Sequence, residues 1–283
     1  MKSIYIDTGP YTFKLVSSCE SLQNAVKKMY GESQVKSLSY DFDIAVRAPN
    51  ALRSYIAPQI NFYCDTYTPF FPLPKKQSYP MLEWGMNWCI AAHEYSRLVI
   101  HAAVLEKNGK AIVCPALPGA GKSTLSALLS EMGWSIFSDE MAIIELDSLN
   151  VKSIYRPICL KNDAIDLVKN RFPNSVFTEK FYDTQKGTVA HKRVHSVDSY
   201  KDCKDTQITV FVFPQFSPNA ETELSQYSSA EGVLQVIRNS FNYHVLAEKG
   251  FEAMADLAEK TKFYSLKYSD IESAEQALAE LIS

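Results

Sequence analysis

Ala116-Leu117-Pro118-Gly119-Ala120-Gly121-Lys122-Ser123-Thr124 is the stretch on which the reading of the fold turns. An apolar run, Ala111-Ile112-Val113-Cys114, precedes it and predicts a buried strand, and residues 123–132 after it predict a helix. Strand, small-residue loop, Lys-Ser pair and helix are the parts of a phosphate-binding loop. Glycines let the backbone wrap closely around phosphate oxygens with its N–H groups turned inward. The helix N-terminus adds further donors and a partial positive charge. Gly119, Ala120, Gly121, Lys122, Ser123 and Thr124 are therefore the expected nucleotide-binding residues. Lys122 supplies an ammonium for the outer phosphates and Ser123 a hydroxyl for Mg²⁺. The usual pattern opens on glycine where this chain has Ala116. A strand-to-helix turn that binds nothing is the competing reading, and a Lys-Ser pair at the helix start weighs against it.

Composition sets the frame for that loop. The chain has 283 residues, 46% hydrophobic and 12% aromatic, with a net charge of −3. This suits a well-buried globular protein of one large domain or two small ones. No Lys/Arg cluster stands out, so nucleic acid is not an expected partner. The first apolar run is too short for a signal peptide, and no uncharged run is long enough to span a bilayer. The six cysteines, at positions 19, 64, 89, 114, 159 and 203, are scattered without a C-x-x-C pair or zinc spacing. Cys89, Cys114 and Cys159 read as small core residues, and a reduced, cytoplasmic protein is expected.

Working outward, residues 11–16 and 41–47 alternate as strands, and residues 21–30 have helical spacing with Gly31 as the stop. Residues 61–67 read as another strand. Residues 68–74, with three prolines, read as a linker or packed arm that regular pairing excludes. Residues 81–95 read as a buried helix carrying Trp84 and Trp88, a packed core face in preference to a platform for a base. Residues 97–107 read as a strand containing His101, and Asn108-Gly109 as a two-residue hairpin turn into the loop strand. After the loop helix and Gly133, residues 134–137 predict a strand running into Ser138-Asp139-Glu140, and residues 141–146 and 151–160 predict two more. Residues 161–171 predict a helix and residues 183–196 an exposed polar loop. Residues 207–213 read as a strand ended by Pro214, Ser228 to Glu231 as a capping box, and residues 251–260 as a helix. A last strand at 263–268 and a C-terminal helix complete the pattern.

Chemistry beside a phosphate loop requires acids. In P-loop proteins a carboxylate at a nearby strand end holds Mg²⁺, and an acid can accept the proton of an attacking hydroxyl. Asp139 and Glu140 stand at such an end. His101 reads either as a core histidine or as a functional one, and the residues leave both open. Arg156 reads equally as a phosphate ligand or as an ion-pair partner. Lys186, His191 and Arg193 lie in the polar loop, which would act as a lid if it closed over phosphates.

The order His101-Ala102-Ala103-Val104, Gly119-Ala120-Gly121-Lys122-Ser123, Phe137-Ser138-Asp139-Glu140 resembles the catalytic domain of HPr kinase/phosphorylase. It is more similar still to a bacterial subgroup, the HPr-related kinase A family. Glu83-Trp84-Gly85-Met86-Asn87-Trp88, Gly133-Trp134, Arg156-Pro157-Ile158-Cys159-Leu160-Lys161-Asn162, Lys186-Gly187-Thr188-Val189-Ala190-His191, Phe241-Asn242-Tyr243 and Gly250-Phe251 look like that subgroup's recurring blocks. The resemblance implies an α/β (α+β) fold with a mixed central sheet, the phosphoenolpyruvate carboxykinase-like P-loop kinase core. The strand and helix pattern itself predicts a small N-terminal α/β region at 1–96 packed on the core, and the resemblance places the catalytic domain at 97–283. It assigns Asp139 to catalysis and metal, Glu140 to the place of a second Asp in the metal site with Ser123, and His101 to the transferred phosphate. Arg156, Lys161, Lys186 and His191 fall in blocks that would serve substrate or lid. The implied activity is ATP- and Mg²⁺-dependent phosphorylation of a hydroxyl, a serine of a small protein or peptide. A small-molecule kinase of the same fold and a non-catalytic ATP sensor are the alternatives. The expected partner is that acceptor, with no nucleic acid or membrane, and a homo-oligomer is left open.

Overall fold

Alternating burial builds the first sheet. The structure is a computed structural model that describes residues 3–31, 39–117, 119–194 and 205–283. β1 (Ser3–Asp7) and β2 (Thr12–Val16) pair antiparallel, and α1 (Glu20–Tyr30) buries Leu22, Val26, Met29 and Tyr30 on one side. β3 (Phe42–Arg47), α2 (Leu52–Tyr55), β4 (Gln59–Cys64) and β5 (Leu73–Pro74) follow, and the strands form one sheet in the order β1-β2-β3-β4-β5. The proline-rich arm is not excluded from pairing as expected: Pro74 and Leu73 lie opposite Gln59 and Ile60. On an edge strand a missing N–H leaves no partner wanting. The arm is packed, with the Phe70 ring 5.8 Å from Phe62 and 6.5 Å from Trp88.

α3 (Ser78–His93) is the buried helix of this part. A Cβ on its Gly85 would fall 2.1 Å from the Phe62 ring of β4, so helix and sheet touch there at a distance only glycine permits. Trp88 also meets His93, at 5.4 Å, and belongs to this packing.

β6 (Leu98–Ile100), β7 (Ala102–Lys107), β8 (Lys110–Pro115), α4 (Lys122–Leu129), β9 (Ser135–Ser138), β10 (Ala142–Ile144) and β11 (Asn150–Lys152) come next. Asn108 and Gly109 make the β7–β8 turn with φ of 57° and 77°. β12 (Ile158–Lys161), α5 (Asp163–Arg171), β13 (Phe181–Thr184) and β14 (Gly187–Lys192) form a three-stranded antiparallel sheet with one helix. The chain ends with β15 (Thr206–Phe216), β16 (Glu223–Gln226), α6 (Ser229–Arg238), α7 (Tyr243–Lys260), β17 (Lys262–Tyr268) and α8 (Ile271–Glu280). α6 starts on the expected capping box of Ser228 and Glu231.

These elements make two compact units: Met1–His93 with Tyr155–Lys201, and Glu94–Ile154 with Asp202–Ser283. A division at 96/97 would have given everything downstream to the second unit. Residues 155–194 instead group with the N-terminal segment, and the first of them are anchored there. The Tyr155 N–H donates to the Thr8 carbonyl, and its hydroxyl donates to the Met29 carbonyl. Arg156 forms a buried ion pair with Glu83 of α3 at 2.6 Å, and the Tyr30 hydroxyl donates to the same carboxylate. Residues 151–160, expected as one strand, are therefore split between β11 and β12 in different units.

The second unit is a mixed α+β body whose sheet runs β6-β10-β11-β15-β8-β7-β9, with β17 paired to β15 and to β16. β15 is parallel to both β8 and β17, so three strands bring their carboxyl ends to one edge. β15 does not stop at Pro214 but continues to Phe216. The Phe216 N–H donates to Ala120, away from β17. Two residues earlier, Pro214 faces the same way. The pairing with β8 has ended by then, at Phe211, so no ladder bond is missing. The apolar layer of this unit includes Leu98, Val104, Val113, Phe137, Phe211, Leu257 and Phe263. Among the described residues, no helix is long and apolar enough to cross a membrane. The five described cysteines are buried and none is in a disulfide; Cys203 lies outside the described residues.

The contact at Gly85 yields a stability prediction. Gly85→Ala forces a methyl group into the Phe62 ring and should destabilise the protein by about 1–3 kcal/mol. Thermal or urea denaturation measures it, and an unchanged midpoint would show that this contact is not the close approach described.

Candidate functional site

The loop between β8 and α4 has the backbone that phosphate binding demands. Gly119 and Gly121 adopt φ of 91° and 89°, a region that other residues enter at a cost. Gly121 is the N-cap of α4, and no side chain caps it. The N-terminus of a helix directs its first N–H groups toward acceptors outside the helix. The loop is braced from β15, whose Phe216 N–H donates to the Ala120 carbonyl at 3.1 Å. Ala116 is buried where the usual pattern has glycine. Pro118 lies outside the described residues.

Lys122 begins α4 and is buried, 7% exposed. Its Nζ lies 3.2 Å from His101 Nε2. With the ammonium as donor, that ring nitrogen is the acceptor. His101 does not sit within a continuous strand as expected: it occupies the break between β6 and β7. Its N–H donates to Asn239 at 2.7 Å, and its ring lies 5.9 Å from Phe241. The Asn239 to Asn242 segment is in turn held on β6. Asn242 accepts from the Val99 N–H and donates to the carbonyls of Glu94 and Arg97. The Phe241-Asn242-Tyr243 block, whose role sequence reasoning missed, thereby fixes the residue beside the loop lysine. Its only signal was a buried-type Asn between two aromatic residues.

Asp139 follows β9 directly and is 4% exposed. Neither of its carboxylate oxygens has a hydrogen-bond partner among the described residues. Burial pushes its pKa above the ordinary 3.8; the Lys122 charge pulls it down, Glu140 pushes it up, and the Ser123 and Ser126 hydroxyls draw it down. These two hydroxyls are near enough to act on the charge without reaching bonding geometry. Glu140 is half-buried next to it, and Ser123 and Thr124 are half-buried in the first turn of α4. The site thus joins Lys122, His101, Ser123 and Asp139, with Glu140 following Asp139 in the chain.

The fit to phosphate and a divalent cation is physical. Left-handed glycines and uncapped helix donors suit phosphate oxygens. An unpartnered buried carboxylate near a serine hydroxyl suits a hard cation. Among the described residues no group of three or more His, Cys, Asp and Glu could hold a metal. Mg²⁺ does not need one, because it takes one or two carboxylates and fills its shell with phosphate oxygens and water.

Arg156, Lys161, Lys186 and His191 all belong to the first unit, not to the unit carrying Lys122 and Asp139. Arg156 is engaged with Glu83 and Asn87. Lys161 is in β12 opposite Val189. The expected exposed loop is the β13–β14 hairpin, with Gly187 at φ 80° next to its turn. His191 is 1% exposed and packs edge-on against Tyr79 at 5.0 Å, while Lys186 lies over the Trp84 ring at 5.3 Å. The error was one of period: Val189 and Ala190 carry too short an apolar signal among polar neighbours. The expected residues 195 and 196 of that loop lie outside the described residues.

Asp139 has a testable thermodynamic signature. Its folded pKa is raised, so the folded state binds the proton more tightly than the unfolded one. Stability from this group is then present at low pH and lost as pH rises from 3.8 through the raised value. Asp139→Asn removes that buried charge and should raise Tm at pH 7 by roughly 2–4 °C, the effect of about 1 kcal/mol in a chain of this size. The gain should shrink toward pH 4. A lower Tm at pH 7 would show that the carboxylate is stabilised by the fold after all.

A scan against family models finds no match, and a search of the curated proteins finds none.

Proposed function

We propose that the chain is an ATP- and Mg²⁺-dependent kinase that transfers the γ-phosphate to a hydroxyl, with a serine of a small protein or peptide as the acceptor. The observation that carries this reading is Asp139, a buried carboxylate without a hydrogen-bond partner among the described residues, in the electrostatic reach of the loop lysine. A buried carboxylate without a hydrogen-bond donor is costly, and such groups persist where function requires them. The HPr-related kinase A resemblance and its carboxykinase-like P-loop core supply the same roles for the same residues.

In this reading the loop 119–124 and the start of α4 bind the phosphate chain through backbone N–H groups. Lys122 offsets charge on the outer phosphates. His101, held by its contact with Lys122 and by Asn239, steadies the transferred group. Mg²⁺, held by Ser123 with Asp139 or Glu140, would supply charge neutralisation on the phosphate oxygens. Asp139 takes the proton of the acceptor hydroxyl. The hydroxyl oxygen bonds to the γ-phosphorus as the bond to the bridging oxygen breaks, leaving ADP. Catalysis is then mostly positioning and electrostatics. The 4% exposure of Asp139 also suits a small-molecule alcohol, which is the second reading.

The test is phosphate transfer from γ-labelled ATP to serine peptides, small proteins and hydroxyl metabolites. Asp139→Asn should lose about 100-fold or more in transfer while retaining nucleotide affinity, because the amide cannot accept the proton. Transfer at the wild-type rate by Asp139→Asn would remove the base. Label on a metabolite alone would select the second reading. Nucleotide binding with no acceptor labelled would leave a sensor.

A further inference from the structure

A phosphate loop does not explain how a nucleoside triphosphate is told from other polyphosphates, and β15 ends on a feature that addresses this. We infer that Phe216 is the platform on which the nucleotide base stacks, an inference that rests on the phosphate-site reading above. Phe216 is the last residue of β15 and its side chain is 49% exposed, although its backbone is fixed on both sides. Its N–H donates to the Ala120 carbonyl of the loop, and it stands in register with Tyr268 of β17. Its ring lies edge-on to Tyr268 at 5.8 Å. A Cβ on Gly121 would fall 3.0 Å from the Phe216 Cβ and 3.3 Å from the Tyr268 hydroxyl, so this aromatic corner is directly against the loop.

Three features connect that corner to a base. Ligands of open sheets bind beyond the carboxyl ends of parallel strands, and Phe216 and the loop occupy the adjacent carboxyl ends of β15 and β8. Direction follows from strand order. β8 lies between β7 and β15. His101 immediately precedes β7 and touches the tip of Lys122, which marks the transfer end of the site. Phosphates laid across the loop from that end lead toward β15, where Phe216 stands. Finally, an aromatic residue whose backbone is already held by the loop and the neighbouring strand loses less entropy when a base stacks on it, and stacking is tolerant of base identity. The ligand class is therefore a nucleoside triphosphate engaged through its base, with little discrimination among bases.

The experiment compares ATP with tripolyphosphate, which has the phosphates and no base, by isothermal titration in Mg²⁺. The wild type should bind ATP more tightly than tripolyphosphate. Phe216→Ala should weaken ATP about tenfold while leaving tripolyphosphate affinity unchanged, and Phe216→Trp should restore ATP binding. Equal weakening of both ligands would show that Phe216 only braces the loop and would overturn the inference. Unchanged ATP affinity in Phe216→Ala would overturn it as well. If the folded wild type bound tripolyphosphate as tightly as ATP, the base would have no platform while the phosphate site stood. If it bound neither, the phosphate site itself would fall, and the inference with it.

Discussion

Asp139 and Lys122 form the constraint from which the second unit is best understood. The lysine begins α4 and the aspartate follows β9, so their approach requires the loop, the helix and two strands to be placed together. Asp139 is buried and lacks hydrogen-bond partners among the described residues, and the nearby ammonium only partly offsets its desolvation. A fold optimised for stability alone would give that carboxylate a donor or replace it by an amide. The surrounding architecture holds the arrangement against this cost. β8 is buried between β7 and β15, Ala120 is tied to Phe216, and His101 is fixed by the segment that Asn242 anchors on β6.

The first unit is organised by a different buried charge. Arg156 and Glu83 pair at 2.6 Å, with the Tyr30 hydroxyl and the Asn87 side chain filling further bonding positions. Removing one partner of such a pair leaves an uncompensated charge, whereas the intact pair contributes less to stability than its geometry suggests. It supplies an anchor for the returning chain, placed where α1, α3 and the residues preceding β12 meet. An arginine that could have bound phosphate is thereby committed to structure.

Much of this was legible in the residues. The strand–turn–helix around residues 116–124 was legible because its left-handed turn calls for glycines, and the buried place of Asp139 because an apolar strand runs straight into it. The Asn108-Gly109 turn and the Ser228 capping box were readable because both are local devices. The return of residues 155–201 to the first unit was not, because it depends on contacts of Tyr155 and Arg156 with residues more than a hundred and about seventy positions away. The β13–β14 hairpin is hidden because its polar sequence conceals two strands whose buried residues include His191 and Lys192. Pro214 reads as a strand end, since sequence alone does not show that its nitrogen faces a side where pairing has already stopped. Phe216 was passed over for the same reason: its closeness to the loop exists only once β15 and β8 are laid side by side.

Whether residues 119–124 hold phosphate through Lys122 is decided by isothermal titration of MgATP into the wild type and into Lys122→Ala. The wild type should bind, and a folded Lys122→Ala variant should lose at least about tenfold in affinity, since a phosphate contact by a buried ammonium is removed. Equal affinity in the two proteins would remove Lys122 from the site.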